Sequence, residues 1–192
     1  MELPLKNKKV AVLVTDGFEE SEFVQPVEAL KKAGAAVELI ALKSGTVKAW
    51  ANKNWGEEYQ VDKTVADANS HDYDGLLLPG GVMNPDKLRM DKDAVTFVGG
   101  FFDDEKPIAA ICHGPWTLIE TGELKGRTLT SYPSLKTDLI NAGANWVNEE
   151  VVVDNGLVTS RDPKDLPAFC KKMVEEFMEC VHEKTYREVS PH

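Results

Sequence analysis

The chain has 192 residues, with 22 Lys and Arg against 32 Asp and Glu, giving a formal net charge of −10. This length suits one domain that buries most of its apolar surface, and a composition of 42% hydrophobic and 28% charged residues excludes a disordered chain. The acidic balance opposes non-specific nucleic-acid binding and gives no support for binding anionic membranes.

Val10–Val14 is an unbroken apolar run ending at Thr15-Asp16-Gly17, the pattern of a strand buried on both faces. It is far shorter than the roughly 20 residues of a membrane span, and no signal-peptide pattern precedes it. The expected compartment is the cytoplasm. Three cysteines without framework spacing fit a reducing environment. From Ser21 to Lys32, Phe23, Val27 and Leu30 have helical spacing, and Gly34 closes the segment. Val37–Ala41 is the next strand and completes a βαβ unit with an expected right-handed crossover. Thr46 to Asn69 alternates polar and apolar residues and predicts a small β excursion turning at Gly56. Its Trp50, Trp55 and Tyr59 are expected to pack at a core or edge.

Gly75–Leu78 predicts a buried strand running into Pro79-Gly80-Gly81. Asp86 to Phe102 reads as mainly helical, with Gly99-Gly100 weakening its end. Ile108–Ile111 is a strand, followed by Cys112-His113-Gly114 and a short helix to Thr121. Arg127–Thr130 predicts a strand, Leu135–Ala142 a helix closed by Gly143, and Val151–Val158 a hairpin turning at Asn155-Gly156. Asp162 suits the N-cap, and Pro163 the first position, of a last helix reaching about Tyr186. Cys170 and Cys180 on that helix would lie about 15 Å apart, too far to bridge. The fold class is α/β, one domain over residues 1–192 with a mostly parallel sheet between helices.

In such sheets ligands bind outside the carboxyl ends of the strands. Three turns converge there: Thr15–Glu19, Pro79-Gly80-Gly81 and Cys112–Pro115. Ala110-Ile111-Cys112-His113-Gly114 has the form of a nucleophile elbow, with Cys in place of Ser. Small flanking residues let a sharp strand-to-helix turn hold the nucleophile. The helix starting near Pro115 is expected to ease ionisation of the thiol. The N–H of His113, with that of Gly80 or Gly81, would form an oxyanion site. His113 is a candidate general acid or base, and Asp86 a candidate orienting carboxylate. Glu19 is a candidate proton shuttle beside the thiol, whereas Glu20 and Glu22 read as solvated acids. Arg161 reads mainly as one half of a surface ion pair. His71, His182 and His192 have no metal-like spacing, so no metal is expected. No dinucleotide or phosphate-loop motif is present, so no cofactor is expected.

The group Ala110–Pro115, with Leu78-Pro79-Gly80-Gly81 and Phe18-Glu19, resembles the PfpI family of the class I glutamine amidotransferase-like superfamily. The likeness continues through Thr130–Pro133, Asn141–Ala144, Glu150–Asp154 and Ser160-Arg161. It implies a flavodoxin-like sandwich with Cys112 as nucleophile and Glu19 hydrogen-bonded to its thiol. It also implies His113 paired with an acidic residue of another subunit, at the position held here by Asp86. Relatives described as intracellular proteases carry Glu there, one methylene longer. Members assemble as dimers or trimers of dimers. They are described as peptidases, as glyoxalases or deglycases acting on methylglyoxal and its adducts, and as stress proteins or chaperones. The expectation is a homo-oligomeric cysteine enzyme without cofactor, acting on a small α-oxoaldehyde or a glycated protein. The alternatives are an intracellular peptidase and a chaperone or redox sensor using Cys112.

Overall fold

The computed structural model describes residues 3–179. The expected continuation of the last helix to Tyr186, with Cys180, His182 and His192, lies outside the described residues. Alternation splits β1 (Lys9–Leu13) between two cores: Val10 and Val12 face one, Ala11 and Leu13 the other. A strand covered by helices on both faces requires this division. It recurs in β6 (Gly75–Leu78), where Leu77 opposes Leu76 and Leu78, and in β7 (Ile108–Ile111), where Ala109 and Ile111 oppose Ile108 and Ala110.

These strands join β2 (Ala36–Ala41), β5 (Lys63–Thr64), β10 (Val151–Asp154) and β11 (Leu157–Ser160) in a seven-stranded sheet. Its order is β10-β11-β7-β6-β1-β2-β5, and every pairing is parallel except the β10–β11 hairpin. Helices α1 (Glu20–Lys32) and α6 (Leu166–Met178) cover one face through Phe23, Leu30, Phe169 and Phe177. Helix α3 (Lys92–Asp103) covers the other through Phe97, Val98 and Phe101. The result is a three-layer, flavodoxin-like α/β fold. The chain leaves β1 for β2 on one side and later returns to β6 on the other. The carboxyl ends of β1 and β6 therefore flank a topological switch point.

The excursion is an antiparallel hairpin of β3 (Thr46–Ala51) and β4 (Asn54–Gln60). It turns at Asn52-Lys53, with φ of 52° and 64°, and not at Gly56. A two-residue hairpin turn of this kind takes positive φ at both central residues. Gly56 lies inside β4, where a Cβ would come within 3.1 Å of the Glu20 carboxylate. The Asn155-Gly156 turn forms as expected, with φ of 47° and 78°.

The segment expected as one helix from Asp86 is two, α2 (Met83–Leu88) and α3, with Asp91 capping the second through the Ala94 N–H. Gly99-Gly100 does not end α3; Gly100 admits Ser70, with which a Cβ would collide. After β7 comes α4 (Pro115–Leu118), a helix of 4 residues. The expected strand near Arg127 is β8 (Thr128–Leu129), paired with β9 (Asn145–Trp146) outside the main sheet. Helix α5 (Lys136–Asn141) lies between them in sequence. Asp162 caps as expected by accepting the Lys164 N–H, and Pro163 opens a 3-10 turn before α6. Among the described residues no helix is long and apolar enough to cross a membrane.

Candidate active site

The carboxyl ends of β1, β6 and β7 meet at a cavity of about 450 Å³, lined in part by Glu19, Glu22, Gly81, Cys112 and His113. Cys112 follows β7 directly and has φ of 61°, a strained value for a residue with a Cβ. Its surroundings hold it there. Its N–H donates to Ser160 O at 3.0 Å, and its C=O accepts the Tyr132 N–H at 2.9 Å. Gly114 is required because a Cβ would collide with the carbonyl of Leu78. The elbow expected from the sequence is present, and its sulfur-bearing residue is 7% exposed.

The carboxyl against the thiol belongs to Glu22, not to Glu19. Glu22 sits in the first turn of α1 on the face that carries Phe23, Pro26, Val27 and Leu30, and it is wholly buried. Its Oε2 accepts the Gly80 N–H at 2.8 Å. Its Oε1 has no hydrogen-bond partner among the described residues. Glu19 precedes the helix, is half-buried, and accepts a hydrogen bond from Ser21 Oγ at 3.1 Å. It lines the cavity without touching the sulfur's hydrogen-bonding environment. The signal for Glu22 was the helical spacing itself: positions 22, 23, 26, 27 and 30 form one buried stripe.

Burial pushes the Glu22 carboxyl up to about 8, outweighing the hydrogen bonds from Cys112 and Gly80 that favour the anion. Burial also pushes the Cys112 thiol well up, and the adjoining Glu22 charge and hydrogen bond add to this. The N–H groups of His113 and Gly81 act the other way. The pair therefore carries at most one negative charge near neutrality. With Glu22 protonated, its repulsion of the thiolate vanishes and its O–H becomes a donor. The expected easing of ionisation is not found: burial and Glu22 hold the thiol protonated, and α4, a single turn, does not offset them.

The two glycines named for the oxyanion site differ in where their N–H groups go. The Gly80 N–H is taken by Glu22, whereas those of Gly81 and His113 point at the sulfur. A Cβ at Gly80 would meet Glu22 Oε2 at 2.5 Å and Cys112 Cβ at 2.8 Å. Asn84, wholly buried on α2, holds this loop: it donates to Pro79 O at 2.9 Å and Gly80 O at 3.1 Å, and accepts from Thr15 N at 2.8 Å.

His113 Nδ1 lies 3.3 Å from Cys112 Sγ. Its Nε2 lies 3.2 Å from Ser134 Oγ, and its ring stacks on Tyr132 with centroids 4.7 Å apart. Burial lowers its pKa from the ordinary histidine value. Asp86 is exposed on α2 and does not line the cavity within its own chain. Trp50 lines the cavity and meets Trp55 edge-on at 5.6 Å, while Tyr59 packs on Phe18 and Phe23. Arg161 is paired with Asp165, its Nε 2.8 Å from Oδ2. His71 Nδ1 lies 2.6 Å from Asp104 at the surface. Among the described residues no group of three or more His, Cys, Asp or Glu is placed to hold a metal ion.

Residues 8–176 match the DJ-1/PfpI family. The chain is 48% identical to "Putative cysteine protease YraA" of Bacillus subtilis, over 85% of this chain and 94% of that protein. It is also 48% identical to "General stress protein 18" of the same organism, over 84% and 93% respectively. Drosophila melanogaster DJ-1beta has a similar structure, with a TM-score of 0.81 and 31% identity over 89% of this chain and 90% of that one. A two-domain protein of Anabaena variabilis, with DJ-1/ThiJ/PfpI-like and ferritin-like domains, has a TM-score of 0.83 at 36% identity, covering 88% of this chain and 48% of that one.

Proposed function

The chain belongs to the DJ-1/PfpI family, and on that premise we propose that it is a cysteine enzyme acting on reactive carbonyls, of the glyoxalase or deglycase type. The observation that carries this reading is the buried Glu22 carboxyl against the Cys112 thiol, beside the N–H groups of Gly81 and His113. A proton-bearing carboxyl next to a thiol that has a ring nitrogen 3.3 Å away to take its proton is suited to carbonyl addition, which needs a nucleophile and a proton for the new alkoxide.

The Cys112 S–H proton passes to His113 Nδ1, 3.3 Å away, as the sulfur adds to the aldehyde carbon of an α-oxoaldehyde, and Glu22 protonates the alkoxide to give a hemithioacetal. The Glu22 carboxylate then takes the proton from that carbon and delivers it to the neighbouring carbonyl carbon, while the hemithioacetal hydroxyl gives up its proton and the neighbouring oxygen gains one. The carbon bonded to sulfur is oxidised to the thioester level while its neighbour is reduced to an alcohol, so no external oxidant is needed. Water hydrolyses the thioester to a 2-hydroxy acid and frees the thiol. The N–H groups of Gly81 and His113 are placed to hold the oxyanion during addition and hydrolysis. An adduct of the same carbonyl on a protein amino group would enter by the same addition.

Methylglyoxal supplied to the protein should yield lactate at a rate lost in Cys112→Ala. Equal rates for wild type and variant, at matched buffer and thiol, would remove this reading. Peptide hydrolysis is the second reading, favoured by the His113 ring nitrogen beside the sulfur and by the name of the YraA relative. Cleavage of a fluorogenic peptide that vanishes in Cys112→Ala, without lactate formation, would select it.

A further inference from the structure

We propose that Ser134 is the positioning residue for His113, and that the two form a proton wire from the Cys112 thiol to solvent. The proposal stands on four features of the fold. His113 is bracketed, with Nδ1 3.3 Å from Cys112 Sγ and Nε2 3.2 Å from Ser134 Oγ. Its ring is stacked on Tyr132, the residue two before Ser134. The Tyr132 N–H donates to Cys112 O at 2.9 Å, tying this segment to the elbow. Pro133 opens a 3-10 turn over Pro133–Leu135 and the Leu135 side chain is buried, so Ser134 is anchored on both sides while staying exposed to water.

The groups facing His113 decide what the wire can do. Cys112 and Tyr132 touch it, Glu22 lies beyond the sulfur, and Glu19 lines the same cavity. Among the described residues no Lys or Arg lines that cavity. The partner of Nε2 is a hydroxyl, which can both donate and accept. A carboxylate there would instead hold the ring as imidazolium. The proton transfer is balanced as follows. The S–H bond breaks and an Nδ1–H bond forms. The Nε2–H proton passes to Ser134 Oγ, and the hydroxyl's own proton passes to water. The thiolate remains, facing a neutral imidazole that now donates from Nδ1. Ser134 accepts a hydrogen bond before the transfer and donates one after it.

The inference rests on Cys112 being the nucleophile, and the test separates the two. Iodoacetamide alkylation of Cys112 is followed by mass spectrometry against pH in wild type, Ser134→Ala, Ser134→Thr and Asp86→Asn, with circular dichroism checking the fold. Two-bond proton–nitrogen NMR correlations report the His113 tautomer in the same samples. Ser134→Ala should alkylate roughly tenfold more slowly, on the scale of one lost hydrogen bond, with an altered pH profile and a mixed tautomer pattern. Ser134→Thr should restore both. Wild-type Cys112 that resists labelling would remove the nucleophile itself. Labelled wild type with an unchanged Ser134→Ala profile and tautomer would overturn the wire alone. A changed profile in Asp86→Asn with an unchanged one in Ser134→Ala would overturn it in favour of a carboxylate from a second copy.

Discussion

Glu22 occupies a place where two effects oppose. The first turn of α1 favours a negative charge by about 0.3–1 kcal/mol, equivalent to less than one pKa unit. Burial acts against the charge and wins, raising the carboxyl from 4.5 to about 8. The consequence for stability has a definite sign. Below pH 4.5 the group is protonated in both folded and unfolded chains. As pH rises from there to about 8 the unfolded chain ionises while the folded one stays protonated, so stability falls, by at most about 1.4 kcal/mol per pH unit. Thermal melts should show the stability of Glu22→Gln rising relative to wild type as pH increases through this window. A constant difference would mean the native carboxyl is not raised. The same variant should lower turnover of the carbonyl substrate roughly a hundredfold or more, the scale of general acid–base catalysis. Cys112 was legible from its neighbours because the elbow is a local steric demand. Glu22 was not chosen because three carboxylates stand within four residues and an acid is ordinarily solvated; its place on the stripe with Phe23, Val27 and Leu30 marks it only once a carboxyl is allowed on the buried face.

At the scale of elements, the site is made by a loop after β6 that neither strand nor helix geometry fixes. Asn84 on α2 fixes it by pairing with Pro79, Gly80 and Thr15, three backbone groups on two chain segments. Asn84→Ala would leave Thr15 N–H and Pro79 C=O without this partner, while Gly80 C=O would keep the Glu19 N–H at 3.4 Å. The expected loss is roughly 2–4 kcal/mol from denaturant titration, since each unpaired buried group costs about 1–3 kcal/mol. Turnover should fall with it, because Gly81 would no longer be held beside the sulfur. A fully stable variant would show that the loop needs no such tie. The strands bordering this loop were readable from apolar runs, and the Asn155-Gly156 turn from its residue types. The Asn52-Lys53 turn was not, because Lys is no marker of positive φ. Gly56 and Gly100 misled for the opposite reason: each serves a close approach within an element and not a break.

Across the whole molecule, the sheet separates two cores, and the candidate site groups stand at the strand ends between them. Phe101 belongs to the core on the α3 face. Phe101→Ala should cost about 3–5 kcal/mol while leaving Cys112 alkylation of the folded protein unchanged. Reactivity that fell in step with stability would place the site in closer contact with that core. Both ring nitrogens of His113 are engaged within one chain. Cys112 reactivity per protomer is therefore expected to stay constant on dilution, whatever assembly the family likeness implies. A decline on dilution, with the fold intact by circular dichroism, would show that a second copy completes the site.

Local pattern alone was enough to place the buried strands, the elbow at Cys112-His113-Gly114 and the order of helices, since burial on two faces and a tight turn each leave a mark within a few residues. Contact between distant segments settled the rest. Gly80 meets Glu22 across 58 positions, and Ser134 meets His113 across 21. No spacing rule in one chain encodes such meetings. They exist because the parallel sheet brings the ends of β1, β6 and β7 to one edge, and packing there sets Glu22 against Cys112 and Ser134 against His113.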